Sequence, residues 1–155
     1  MEYRNPTPTT DVIVCRTNPE KHTEILLIER TNPPYGWALP GGFVDEGEMV
    51  EAAAVREVLE ETNLTIQLQT LFYVYSNPKR DTRQHNISVV FTANVSWEES
   101  LVAKGGDDAK QAHFFPLQSL PELVFDHAEI IEDFLRFIKT ANRPNPMVKW
   151  NAEKS

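Results

Sequence analysis

The segment Gly42–Leu64, GFVDEGEMVEAAAVREVLEETNL, decides how this chain is read. It carries seven acidic residues, and within Arg56-Glu57-Val58-Leu59-Glu60-Glu61 three glutamates fall in five positions. Residues 48–62 contain no Pro and one run of three alanines. That composition predicts a helix, with Asn63 placed to end it in the left-handed conformation. Like charges one turn apart repel on a helix, so the clustering asks for a cause. At about 100° per residue, Glu57, Glu60 and Glu61 share an arc of roughly 100°. Ala52, Val55, Val58, Leu59 and Thr62 then form the face expected to pack on a sheet. Ala53 and Ala54 lie beside the carboxylates and are small enough to let something approach. Crowded carboxylates raise one another's pKa unless a cation is present. An all-oxygen set without His or Cys suits Mg²⁺, with Mn²⁺ as substitute, ahead of zinc. A solvated acidic face is the competing reading, and the helix alone favours it. Two flanking features shift the balance. Gly41-Gly42 permits a tight turn whose carbonyls can point at a metal. Arg56, eight positions after Glu48, can fork onto that carboxylate and fix the turn over the acidic face.

The rest of the chain bounds the answer. A length of 155 residues suits one domain with a real core. A composition of 41% hydrophobic and 25% charged residues is that of an ordinary globular protein. The net charge of −8 argues against a nucleic-acid polymer or an anionic membrane surface as partner. It leaves room for a small anion bound together with metal. The one cysteine, Cys15, lies in the apolar run VIVC and reads as a packed strand residue, so no disulfide framework forms within the chain. Without a signal core or a membrane-length apolar stretch, the expected location is cytoplasmic.

Residues 1–10 read as a polar lead-in, 11–140 as one domain and 141–155 as a tail that Trp150 is placed to dock. Residues 11–17 and 24–30 are β-branched apolar runs expected as strands. TNPPYG at 31–36 is a loop, and residues 64–76, 86–95 and 111–117 are further strands. A second amphipathic helix is expected over 125–140. The order strands, helix, strands, helix indicates an α/β (α+β) fold with a central mixed β-sheet. Regular βαβ alternation and the glycine-rich nucleotide motifs are absent, which excludes a doubly wound nucleotide fold.

The acidic segment resembles the Nudix box, G-x5-E-x7-R-E-U-x-E-E-x-G-U with U apolar. The matching positions are Gly42, Glu48, Arg56, Glu57, Val58, Glu60, Glu61 and Leu64. One position departs: Asn63 stands at the family's second glycine, and Asn is the next-best residue for a left-handed helix end. The flanks LLIER and WALPGG also look like the strand and loop that lead into the box. The resemblance implies the Nudix fold, an α/β/α sandwich, and hydrolysis of a nucleoside diphosphate linked to another group. It implies that Glu57, Glu60 and Glu61 hold one to three Mg²⁺, with a Gly41 or Gly42 carbonyl as a further ligand. Glu48 and Arg56 take scaffolding roles. For the general base the candidates are Glu60 on the helix, Asp107 or Asp108 in GGDDAKQ, and further Asp126 and His127.

Other features are similar to the ADP-ribose pyrophosphatase branch: Pro78, placed 14 positions after Leu64, and the segment GGDDAKQAHFFPLQSLPELVFDHAEII. In that light Lys79, Arg80 and Arg83 form a clamp for a terminal ribose phosphate. Phe125 and Asp126 sit at the base, one stacking and one accepting from its amino group. Arg30 and Trp37 join the substrate-binding candidates, with Tyr73 a further stacking option; core packing is the competing role for each aromatic. The expected reaction is ADP-ribose to AMP and ribose 5-phosphate. A nucleoside triphosphate pyrophosphohydrolase is the alternative, and a ligand-sensing regulatory domain without catalysis is the alternative of another class. Relatives of this type are often dimers, which leaves a homodimer open, with no interface traceable in the sequence.

Overall fold

Strand β1, Thr7–Thr17, alternates its side chains between two cores, and the whole architecture follows from that alternation. Val12 and Val14 enter one core with Leu26, Ala54, Val58, Leu64, Phe91 and Phe114. Ile13 and Cys15 enter the other with Ile25, Leu27, Phe72, Val90, Ile130 and Phe134. Both faces of the strand are therefore buried, as the unbroken apolar run requires. The computed structural model of the chain describes residues 3–154.

The other elements are β2 Thr23–Arg30, β3 Trp37–Ala38, β4 Gly41–Phe43, α1 Val50–Thr62, β5 Leu68–Tyr75, β6 Asn86–Asn94, α2 Trp97–Ser100, β7 Ala109–Pro116, α3 His127–Thr140 and α4 Pro146–Lys154. They build a mixed sheet of order β3-β2-β1-β6-β5, with β4 on β1 and β7 on β2. Only β1 and β6 run parallel among its named pairs. Helix α1 covers one face and α3 the other, which gives the α/β/α sandwich. Strand β1 meets β2 only over residues 15–17 and meets β4 over residues 9–11. The sheet splays between those two pairings, and the gap opens towards the start of α3. No helix among the described residues is long and apolar enough to cross a membrane.

Three local expectations change. Strand β1 begins at Thr7 rather than Asp11, because residues 7–10 pair with β6, and Thr9 and Thr10 also with β4. Residues 146–154 of the tail form α4, held by Lys149, whose Nζ lies 2.7 Å from Asp133 and 3.2 Å from Glu129. Trp150 is 53% exposed and lines a cavity beside Tyr73 and Tyr75.

The third change concerns α1. Ala53, Ala54, Val58, Glu61 and Thr62 are buried, whereas Ala52 is exposed and Leu59 is 46% exposed. On the same helical wheel the buried arc runs from about 320° through zero to about 140°. Its centre is near Glu61. The helix is thus turned so that its acidic edge faces the protein, and Leu59 goes to solvent instead.

Candidate active site

The splayed gap forms a cleft of ≈ 400 Å³ between β1, β2, the β3–β4 turn, α1 and the start of α3. Glu57 and Glu61 line one end with Gly41 and Gly42. Glu61 is buried, and its Oε1 accepts the Gly41 N–H at 2.8 Å. Burial pushes its pKa up to about 8, with repulsion from Glu57 and Asp11 adding to the rise. Burial also raises the pKa of Glu57, against the pull of Arg56. Two acids held back from ionisation mainly by burial, at one end of a polar cleft, mark a candidate functional site.

Arg56 organises the loop above them. Its Nε and Nη2 fork onto Glu48 at 2.8 and 2.9 Å, and Nη2 also donates to the Phe43 carbonyl at 3.1 Å. Nη1 reaches Glu57 at 2.9 Å and Glu60 at 3.2 Å. The fork holds the Glu48 carboxyl well down, at about 2, while its partners raise the Arg56 pKa. Asn63 ends α1 at φ 64°, and its Nδ2 donates to the Val102 carbonyl at 3.0 Å.

Among the described residues no three His, Cys, Asp or Glu side chains stand as a ready-made metal shell, and Arg56 is the cation beside Glu57 and Glu60. The donor chemistry nonetheless fits a hard divalent ion, since it is all oxygen and two of its carboxyls have raised pKa values. The glycines belong to the same cradle. A Cβ on Gly42 would lie 2.6 Å from the Glu57 carboxyl carbon. A Cβ on Gly41 would press on the Thr10 carbonyl and on Asp11 of the neighbouring strand. These obstacles differ, because a side chain can swing away and backbone cannot. Gly41→Ala is therefore expected to cost about 1–3 kcal/mol of stability. Gly42→Ala should melt close to wild type but turn over poorly, because it displaces Glu57. Urea melts and steady-state rates on both variants check the contrast.

The opposite wall brings together Arg30, Asp108, Arg83 and Phe125. The Arg30 and Arg83 guanidinium carbons lie 4.9 and 5.3 Å from the Phe125 ring centroid. Asp108 accepts from Asn32 Nδ2 at 3.2 Å. Arg80 also lines the cleft, yet it is buried and forks onto Asp126 at 2.9 and 2.7 Å. His127 is buried, with Nδ1 accepting the Leu39 N–H at 2.9 Å and Nε2 3.7 Å from Asp11. Burial lowers its pKa.

Several expected site residues lie outside the cleft lining. Trp37 packs edge-on against Phe115 beside the α3-side core, at 4.9 Å between ring centres. Lys79 is exposed, and its backbone N–H caps Asn77 Oδ1 at 2.8 Å. Neither Glu60, Asp107 nor Asp126 lines the cleft, and Glu60 is exposed. Asp11, Asp81 and Asn86 are among the polar lining residues that went unnoticed in the sequence. Asp11 had a legible signal, an acid at the head of an apolar strand run.

The NUDIX domain model matches residues 7–134. The ADP-ribose pyrophosphatase of Methanocaldococcus jannaschii is 49% identical over 137 residues, covering 87% of this chain and 76% of that protein. The crystal structure of a MutT/nudix family protein from Enterococcus faecalis superimposes with a TM-score of 0.77 at 31% identity, covering 90% of this chain and 64% of that one. The NUDIX domain of Shewanella oneidensis NrtR, solved with ADP ribose, superimposes with a TM-score of 0.74 at 26% identity over 88% of this chain and 90% of that one. Taken with the box on α1 and the cleft beneath it, these matches show that the chain belongs to the Nudix family.

Proposed function

We propose that this chain is a Mg²⁺-dependent Nudix hydrolase that adds water to ADP-ribose and releases AMP and ribose 5-phosphate, with Mn²⁺ able to replace Mg²⁺. One observation carries the reading: a cleft with buried acids at one end and an Arg30–Phe125–Arg83 group in its wall. The extensive identity to an ADP-ribose pyrophosphatase supports it.

Glu57, Glu60 and Glu61, with a Gly41 or Gly42 carbonyl, would hold the ion. When bound, it neutralises the diphosphate and lowers the pKa of an attacking water. The protein's own groups do the remainder. Arg56, forked onto Glu48, keeps the β4–α1 loop closed over the acids. Arg30 and Arg83 face the cleft with permanent charge that attracts the diphosphate, and Phe125 gives it an apolar surface. Arg80 has its fork committed to Asp126, so this pair positions the start of α3 and with it Phe125 and His127. Asp108, which lines the cleft, takes the proton from the attacking water, and Glu60, at the acidic edge beside Arg56, is left to the ion. The reading also includes a cytoplasmic setting and a homodimer. The buried Cys15, its thiol pushed up to about 12, behaves as an inert core residue in keeping with the first.

A substrate panel with product identification tests the proposal. AMP and ribose 5-phosphate from ADP-ribose, dependent on Mg²⁺, are expected. Pyrophosphate release from a nucleoside triphosphate, with ADP-ribose left intact, would overturn it in favour of a triphosphate pyrophosphohydrolase.

A further inference from the structure

Asn86 opens β6 in the cleft lining and is 3% exposed. Its Nδ2 donates to Asp81 Oδ2 at 2.8 Å. The same carboxylate accepts the Arg83 N–H at 2.9 Å, Nε at 3.1 Å and Nη2 at 2.8 Å. An ionised carboxylate only accepts, so the Asn86 amide is fixed with its NH₂ towards Asp81. Turning it over would set oxygen against oxygen. That leaves Oδ1 as the free valence. Among the described residues it is the one buried side-chain nitrogen or oxygen without a hydrogen-bond partner. Native folds rarely leave such an atom unpaired without a reason.

The register says how far this atom lies from the acidic end. Gly41 pairs with Asp11 across β4 and β1, while Asn86 pairs with Thr7 across β6 and β1. Four residues of strand separate those rungs, about 13 Å at 3.3 Å per residue, and β4 and β6 flank β1 on opposite edges, which adds about 10 Å across the sheet. The distance exceeds the reach of a diphosphate and suits the sugar attached to it. The neighbouring cleft residues are Thr9, Arg80, Asp81 and Arg83, a polar floor. The nearby ring of Phe125 already meets Arg30 and Arg83. Such a floor matches hydroxyl groups better than the flat apolar face of a base.

We infer that Asn86 Oδ1 accepts a hydrogen bond from a sugar hydroxyl of the substrate and so determines specificity for the ribose part of the molecule. The inference deepens the ADP-ribose reading and rests on it. Both sugars of ADP-ribose offer this chemistry, and the experiment separates them.

The wild-type protein with Mg²⁺ is assayed on ADP-ribose, on its 2′-deoxy and 3′-deoxy adenosine forms, and on the methyl ester of ADP, which lacks the terminal sugar. A site built around an acceptor discriminates strongly against a substrate without the donor, so kcat/KM should fall by about 100-fold or more on one arm. In Asn86→Leu that preference should collapse, with ADP-ribose and the analogue turned over at nearly equal rates. Loss on a deoxy form assigns the adenosine ribose; loss on the methyl ester assigns the terminal one. Equal wild-type rates on every substrate overturn the inference, whether or not the variant folds. So does a variant that slows all substrates alike and keeps the wild-type ratios, which is the mark of a purely structural asparagine. Asn86→Ala is the second variant for the same ratios. Failure of the wild type to cleave ADP-ribose would be seen before any analogue is compared; it refutes the proposed function and takes this inference with it.

Discussion

Replacing Glu61 with Gln is expected to cut turnover by about 10²–10³-fold while stabilising the metal-free protein at alkaline pH. Both effects have one cause. The Glu61 carboxyl is buried, which pushes its pKa up to about 8; Glu57 and Asp11 add to the rise, and the Gly41 N–H and Arg30 oppose it. The folded protein therefore keeps a proton that the unfolded chain gives up at an ordinary carboxyl pKa of about 4.3. Nothing is lost below that value. Above it, stability falls as pH rises, and the fall levels off once the folded group ionises at about 8. A tenfold difference in proton affinity between the two states is worth about 1.4 kcal/mol, so the total is on the order of several kcal/mol. Gln has the same shape, keeps an acceptor for the Gly41 N–H and does not ionise. In EDTA, the melting temperature of the wild type should drop relative to Glu61→Gln by about 10 °C between acid and alkaline pH. Added Mg²⁺ should then raise the wild type above neutral pH and leave Glu61→Gln where it was. Parallel melting curves for the two proteins, with or without the ion, would show that this carboxyl is not the strained group.

That prediction could not have come from the sequence. The box was legible because its chemistry is written at fixed spacing along one helix. The left-handed end at Asn63 and the Glu48–Arg56 fork could be anticipated for the same reason. The rotation of α1 was not. A helical wheel ranks apolar against polar residues and assigns Leu59 to the core. It has no knowledge of the glycine strand β4 and Asp11, beside which Glu61 is buried and Leu59 left out. Asp81 and Asn86 meet locally, but Asp11 comes to their end of the cleft only through the parallel register of β1 with β6, across some seventy residues of chain. No local pattern encodes that pairing. Strands of two or three residues, such as β3 and β4, are likewise too short to show a period. The basic loop misled in a different way. Lys79, Arg80 and Arg83 look equivalent in sequence, yet one is exposed, one is buried on Asp126, and one is tied to Asp81 beside Phe125.

The buried member of that trio gives the largest expected loss of stability. Arg80 donates both arms of its guanidinium to Asp126 and lies 3.9 Å from Asp11, with its side chain 5% exposed. Arg80→Leu leaves Asp126 facing Asp11 and the lowered-pKa imidazole of His127, with no permanent cation in their midst. Breaking one side of a buried pair typically costs about 3–5 kcal/mol. For a domain of this size the melting temperature should fall by about 10–15 °C. The cost comes from the stranded carboxylate more than from the lost contact, and this distinguishes two outcomes. Removing the partner as well, in Arg80→Leu with Asp126→Leu, should recover most of the stability, because an apolar pair replaces a charged one at similar volume. A double variant as unstable as the single one would mean that the arginine stem, rather than its charge, holds the start of α3. Turnover of ADP-ribose should return together with stability in the double variant, since the pair's assigned task is to keep Phe125 and His127 in the cleft. Recovered melting without recovered kcat/KM would instead assign Arg80 or Asp126 a direct contact with substrate.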